Sequence, residues 1–180
     1  GLIYLCEHFQ LSEVAEYWTQ VVKMNEYQKH RFSRQIVQSM LGSLRGKKIV
    51  LYGFAFKKNT GDIRESPAID VAKVLIEEGA LVCVYDPKVK LLDIHALGEP
   101  WTKITDERDP YTAAVDSHAI VVLTEWDEFK TLDYPRILST MAKPSFLFDG
   151  RNILDHDKLA TYGFKVHGIG RAFLFGPQYS

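Results

Sequence analysis

Two periods of hydrophobic positions divide this chain. Val14, Trp18, Val21 and Val22, then Phe32, Ile36, Val37 and Met40, recur at helical spacing until Gly42 stops the pattern. Ser12, with Glu13 and Glu16 behind it, supplies an N-cap and an acidic first turn. The spacing predicts a helix of about 28 residues, which at 1.5 Å per residue is longer than a small domain is wide. Such a helix is expected to be a spine joining two domains or a dimer surface. An amphipathic helix packed on its own domain is the competing reading. Residues 2 to 9 read as the end of an earlier helix.

After Arg45-Gly46-Lys47-Lys48 the period changes and a second unit begins. Ile49 to Gly53 reads as a buried strand. Pro67 to Glu78 reads as a helix, with Ser66 as N-cap, proline at its first position, Ala68, Val71, Ala72 and Leu75 on one face and Gly79 as its stop. Leu81 to Tyr85 follows as a strand, which completes a right-handed βαβ unit with parallel strands. The alternation continues with a strand at Trp101 to Thr105, a short helix at Pro110 to Val115 and a strand at Ala119 to Thr124. A helical stretch from Trp126 to Met141, interrupted near Pro135, comes next. Ser145 to Phe148, a helix near Asp157 to Tyr162, and Phe164 to His167 close the series. Residues 87 to 100 read as a surface loop. The expected fold class is α/β, a doubly wound, Rossmann-like parallel sheet of about six strands preceded by a long connecting helix. Residues 1–45 form the end of a helical region and residues 46–180 the sheet domain.

Composition changes this picture mainly by exclusion. The net charge of −1 removes the field that a nucleic-acid or acidic-membrane binder carries, so an anion site has to be a local cluster of cations. Neither nucleic acid nor membrane is an expected partner. Hydrophobic residues at 46% and charged residues at 25% are those of an ordinary globular protein. Cys6 and Cys83 stand far apart with no CxxC spacing, which argues against a disulfide framework or a zinc site and for a reducing, cytoplasmic setting. The six histidines show no metal-ligand spacing. The opening on Gly1, with no start methionine, is expected of a truncated chain.

Ligands of doubly wound sheets bind beyond the carboxyl ends of the strands, where the strand order reverses. There the first strand runs into Gly53-Phe54-Ala55-Phe56-Lys57-Lys58-Asn59-Thr60-Gly61-Asp62-Ile63-Arg64-Glu65-Ser66, which places three cations at the predicted switch point. Lysine and arginine at the amino end of the next helix suit a diphosphate; a solvated basic loop is the alternative. GxGxxG is missing and the loop is long, so a dinucleotide on this loop is disfavoured. Asp86, at the end of the second strand, reads either as a ribose-binding acid or as a turn starter before Pro87, and the turn is preferred. Arg151, after Phe148-Asp149-Gly150, is expected at the same rim, as a ligand contact or paired with Asp149. Thr124-Glu125-Trp126 either walls the site or caps the next helix. No nucleophile-with-base arrangement is visible, and Cys6 looks like packing.

The segment Phe54 to Ser66 is similar to the most distinctive motif of the C-terminal domain of UDP-glucose 6-dehydrogenases. Tyr85-Asp86-Pro87-Lys88, Leu123-Thr124-Glu125-Trp126-Asp127-Glu128-Phe129 and Phe148-Asp149-Gly150-Arg151 follow in that family's order. Tyr4-Leu5-Cys6-Glu7 and Asn25-Glu26-Tyr27-Gln28 resemble its central helical region. The resemblance implies an enzyme that oxidises the C6 alcohol of UDP-glucose to a carboxylate in two hydride transfers to NAD. It also implies that the nucleophilic cysteine and the NAD-binding half lie upstream of this chain, so no catalytic residue and no metal is expected here and the chain alone is expected to be inactive. By the same resemblance Phe56 and Lys57 contact UDP-glucose, Arg151 contacts the substrate, and Arg64 reaches toward NAD held by the other domain. Asn59 stands where animal and plant members commonly carry aspartate. The region around Asn25 to Gln28 implies a homo-oligomer, a dimer or a hexamer built from dimers. Related dehydrogenases of UDP-N-acetylmannosamine or GDP-mannose, and a non-catalytic interaction module, are the competing readings.

Overall fold

The structure, a computed structural model, describes residues 12–168, so the expected helical end at residues 2 to 9 lies outside it. The long helix α1 spans Ser12–Ser39. Its two halves differ. Phe32 and Ile36 have no exposed surface and Met40 almost none, whereas Val14 is 42%, Tyr17 64% and Trp18 37% exposed. The side chains of Val21 and Val22 lie outside the described residues. The helix ends where Leu41 and Gly42 turn to positive φ and the Gly42 N–H donates back to the Val37 carbonyl.

Six strands follow: β1 Lys48–Tyr52, β2 Leu81–Tyr85, β3 Thr105–Asp106, β4 Ala119–Val122, β5 Phe146–Asp149 and β6 Lys165–Gly168. All pairs are parallel, in the order β3-β2-β1-β4-β5-β6. The central strands β1, β4 and β5 read as unbroken apolar runs because helices cover both of their faces. On one face Ile49, Leu51, Val84, Val121 and Phe148 pack against the second half of α1 and against α2, Pro67–Glu77. On the other, Val50, Tyr52, Cys83, Ile120 and Leu147 pack against α4, Pro110–Ala114, α5, Tyr134–Thr140, and α6, His156–Tyr162. Sequence neighbours in β1 thus point into different cores, the period of two that a strand imposes.

Helix α2 forms as its caps predict. The Ser66 hydroxyl accepts the Ala68 N–H at 3.2 Å, and Gly79 takes φ +92°, a turn that leads the chain back into β2.

Three expectations are corrected. Residues 87 to 100 are not only loop, because α3 spans Leu91–His95 and buries Ile94 in the first core. The strand expected at Trp101 to Thr105 is a 3-10 turn, Trp101–Lys103, followed by the two-residue β3. Trp101 is drawn out of strand geometry by its indole N–H, which donates to the Ile69 carbonyl of α2 at 2.9 Å. The stretch from Trp126 to Met141 is two elements, a 3-10 turn at Asp127–Lys130 and then α5, which starts at Asp133 as N-cap with Pro135 in its first turn.

Candidate functional site

The strand order reverses between β1 and β4, so the loops leaving β1, β4 and β5 share one rim. The loop from Gly53 to Ser66 is fastened there mostly through its backbone. Phe54 and Ala55 N–H groups donate to Asp86 Oδ2 at 2.8 and 3.1 Å, and the Thr124 hydroxyl donates to the Ala55 carbonyl at 2.9 Å. Gly53 makes this approach possible. It sits at φ +96°, and a Cβ there would lie 2.4 Å from Thr124 Cβ, so no L side chain fits. Gly61 is likewise close-packed, since a Cβ would come within 2.8 Å of the Lys88 carbonyl oxygen.

Asp86 is the hub of this arrangement and is 1% exposed. Besides the two loop amides, Oδ2 accepts the Trp126 indole N–H at 3.2 Å, and Oδ1 accepts the Lys88 and Val89 N–H groups at 2.9 and 3.1 Å. The turn that Asp86 was expected to start is present. The carboxylate also joins β1, β2 and the segment after β4, a role that Asp86-Pro87 does not announce. With both oxygens engaged it has no geometry for a ribose.

The residues singled out in the sequence fall around this hub. Phe56 is 44% exposed, although it directly follows the fully buried Phe54 and Ala55. Lys57 is exposed beside it, and Lys58 pairs with Asp127 at 3.6 Å. Arg151 leaves the end of β5, two strand positions from β1, or ~10 Å at ordinary strand spacing. Its side chain is only 11% exposed, and its guanidinium pairs with Glu125 at 3.3 Å. The expected partner, Asp149, receives instead the Arg151 backbone N–H at 3.2 Å. Burial lowers the pKa of Arg151 and Glu125 opposes that shift; the guanidinium stays charged.

Arg64 stands apart from these. Its side chain is 88% exposed and is clamped to Asp62, with Nε 3.0 Å from Oδ1 and Nη2 2.8 Å from Oδ2. Hydrogen bonds from the Arg64 side chain, and then from its backbone, hold the Asp62 carboxyl down to about 2. The cation therefore stands largely in solvent.

Sequence reasoning left unassigned the roles of Glu125 as the partner of Arg151 and of Asp149 as the acceptor that organises the turn after β5. An aspartate at the carboxyl end of a buried strand, as at both Asp86 and Asp149, is the signal that would have pointed to the second of these. A hollow of about 270 Å³ is bordered by Lys130, Leu132, Ile153 and Leu154 of the segments following β4 and β5, and another of about 490 Å³ lies at the opposite ends of the strands, beside Lys48 and Leu81; neither is lined by Phe56, Lys57, Arg64 or Arg151. Among the described residues no group of histidine, cysteine and acidic side chains is placed to hold a metal ion, and no helix is long and apolar enough to cross a membrane.

The sequence model of the UDP-glucose/GDP-mannose dehydrogenase family, UDP binding domain, matches residues 50–156. UDP-glucose 6-dehydrogenase of Drosophila melanogaster is 49% identical over 183 residues, which cover 96% of this chain and 38% of that protein. The Rattus norvegicus enzyme is 48% identical, over 95% of this chain and 37% of that protein. The chain thus spans under two fifths of the length of these relatives. Among solved structures, a UDP-glucose dehydrogenase from Pyrobaculum islandicum aligns with a TM-score of 0.70 at 30% identity, over 93% of this chain and 34% of that one. A Methanosarcina mazei NDP-N-acetyl-D-galactosaminuronic acid dehydrogenase, at 24% identity and a TM-score of 0.65, shares the fold across 84% of this chain and 30% of that one. Matched over more than half its length, and with the Phe54 to Ser66 loop inside the match, the chain belongs to the UDP-glucose/GDP-mannose dehydrogenase family through its UDP-binding domain.

Proposed function

We propose that residues 46–180 are the UDP-sugar-binding part of an NAD-dependent UDP-glucose 6-dehydrogenase, and that residues 1–45 are the end of the helical region that joins it to the remainder of the enzyme. In this reading the whole protein converts UDP-glucose to UDP-glucuronate, acts in the cytoplasm as a homo-oligomer and draws its catalytic groups from outside this chain. The observation that carries the reading is the basic loop Phe54 to Ser66, fixed at the switch point by Asp86 and Thr124 and leaving Phe56 and Lys57 exposed. Lys57 supplies a point charge for the diphosphate, Phe56 a flat apolar contact, and Arg151 a fork of donors from the far side of β4. Exposed Val14, Tyr17 and Trp18 on α1 support a role of that helix in assembly.

NAD does not fit this domain's own sheet. The loop after β1 lacks GxGxxG, and the acid at the end of β2 is fully engaged with the protein. Arg64, exposed and paired with Asp62, is the group assigned to the cofactor. A cofactor held by the other domain would meet it there.

Thermal unfolding with UDP, UDP-glucose, GDP and NAD in parallel, repeated with Lys57→Ala, tests this reading. A ligand at 100 times its Kd stabilises the folded state by about 2.7 kcal/mol, which raises Tm by roughly 5 to 11 °C for a chain of this size. The expected result is a shift with the uridine ligands that Lys57→Ala abolishes. Preference for GDP would move the assignment to the GDP-mannose branch, and a shift with NAD alone would sink it.

A further inference from the structure

The turn that carries Arg151 is held by a pair of side chains, Asp149 and His156, whose contact with each other the sequence did not announce. Asp149 is fully buried. Its Oδ1 accepts the Arg151 N–H at 3.2 Å, and its Oδ2 accepts the Leu154 N–H at 2.9 Å and lies 2.8 Å from His156 Nε2. A buried carboxylate is costly unless every lone pair it presents is matched by a donor. The ring therefore presents Nε2–H to it, and His156 closes the segment 149–156 on itself from the first residue of α6. The ring is seated on β6, where a Cβ on Gly168 would come within 2.6 Å of its Cε1 and Nδ1. A continuous path of contacts thus runs from Gly168 through His156 and Asp149 to the Arg151 backbone, while Glu125 pairs with the guanidinium.

We infer that Asp149 and His156 are positioning residues for Arg151: His156, seated on Gly168 and bonded to Asp149, fixes the turn from which Arg151 reaches the UDP-sugar. The inference rests on the proposed UDP-binding role. Neither side chain contacts the ligand in this account. What they supply is a single backbone geometry at the rim, so that Arg151 is not ordered anew at each binding event. The arrangement parallels Asp86, which fixes the Phe56 and Lys57 loop by the same means, a buried carboxylate accepting main-chain amides. The difference is that Asp149 depends on an ionisable ring, 28% exposed, to complete its bonds.

The test measures UDP binding by calorimetry, together with amide hydrogen exchange and ligand-free Tm, on the 180-residue chain and three variants. His156→Ala removes the donor. Gly168→Ala displaces the ring while keeping the histidine itself. His156→Gln keeps a side-chain N–H near the position of Nε2. Expected are an about 10-fold weaker Kd for UDP in the first two, the low end of what losing a supporting partner costs at metal sites, and faster exchange at the Arg151 and Leu154 amides. Exchange in β1 and β4 should be unchanged, and His156→Gln should restore both affinity and protection. A purely structural role would lower Tm in step with affinity and would spread faster exchange through the sheet, which would overturn the inference. UDP binding that His156→Ala leaves unchanged overturns it alone. No UDP binding by the unmodified chain overturns the functional reading and this inference with it.

Discussion

Asp86 shows how much a single side chain determines here. Five N–H donors converge on its carboxylate, from Phe54, Ala55, Lys88, Val89 and the Trp126 indole. Asparagine presents two N–H donors where one carboxylate oxygen stood, so at least one buried amide loses its acceptor and meets a donor instead. Asp86→Asn should cost about 2 to 3 kcal/mol, from the penalty for an unpaired buried polar group, read from urea unfolding. A loss under about 0.5 kcal/mol would mean that the loop has other anchors. Asp62 is the contrasting case, an exposed carboxylate held by one arginine. Its folded pKa of about 2 lies below the ordinary 3.8, so whatever stability the pair gives is present above the ordinary value and is lost as pH falls through about 2. Because the pair is exposed, that contribution is small. A carboxyl-carbon NMR titration should find the midpoint near 2, and Arg64→Ala should return it toward 3.8.

Among the elements, α1 carries the clearest division of labour. Phe32 and Ile36 in its last turns are fully buried, and Met40 and Leu44 just past its end nearly or wholly so, all within the core that backs β1, so the end of this helix packs with the sheet. Phe32→Ala should cost about 3 to 5 kcal/mol. Tyr17→Ala, at a residue 64% exposed, should leave the stability of the chain within about 0.5 kcal/mol. Equal losses at the two sites would contradict the burial pattern. The helical period was legible in the sequence across the whole element. Which half is buried was not, because the same apolar spacing serves an internal core and a surface waiting for a partner. Short elements were legible only in part. α2 announced itself with Ser66, Pro67 and Gly79, each a local signal. β3, with two residues, is too short to show alternation, and its place at the sheet edge comes from pairing with Cys83 and Val84.

For the molecule as a whole, the doubly wound sheet followed from the alternation of elements, and the position of the basic loop followed from the fold rule for switch points. The links across the rim did not. Arg151 with Glu125 joins the segments that follow β5 and β4, and Asp149 with His156 joins the end of β5 to the start of α6; no spacing in the sequence specifies either pairing. Cys83, on β2 in the second core, reports on the same packing. It is 5% exposed, and burial pushes its thiol pKa up, opposed by its contact with Thr105. In a Cys6→Ser background, alkylation of Cys83 should be slow in native buffer and should accelerate in parallel with global unfolding. Fast labelling below the unfolding transition would indicate that the β2–β3 edge opens separately.

The two buried aspartates grip main-chain amides, and every residue except proline offers an amide. A loop fastened this way keeps its shape whatever side chains it displays. Residues such as Phe56 or Lys57 can therefore be exchanged over evolutionary time, or by an engineer, without rebuilding the scaffold beneath them. Sugar or base preference in this fold is thereby separable from foldability, and a library varied at the exposed loop positions with Asp86, Asp149, Gly53 and Thr124 left untouched is where altered nucleotide selectivity should be sought.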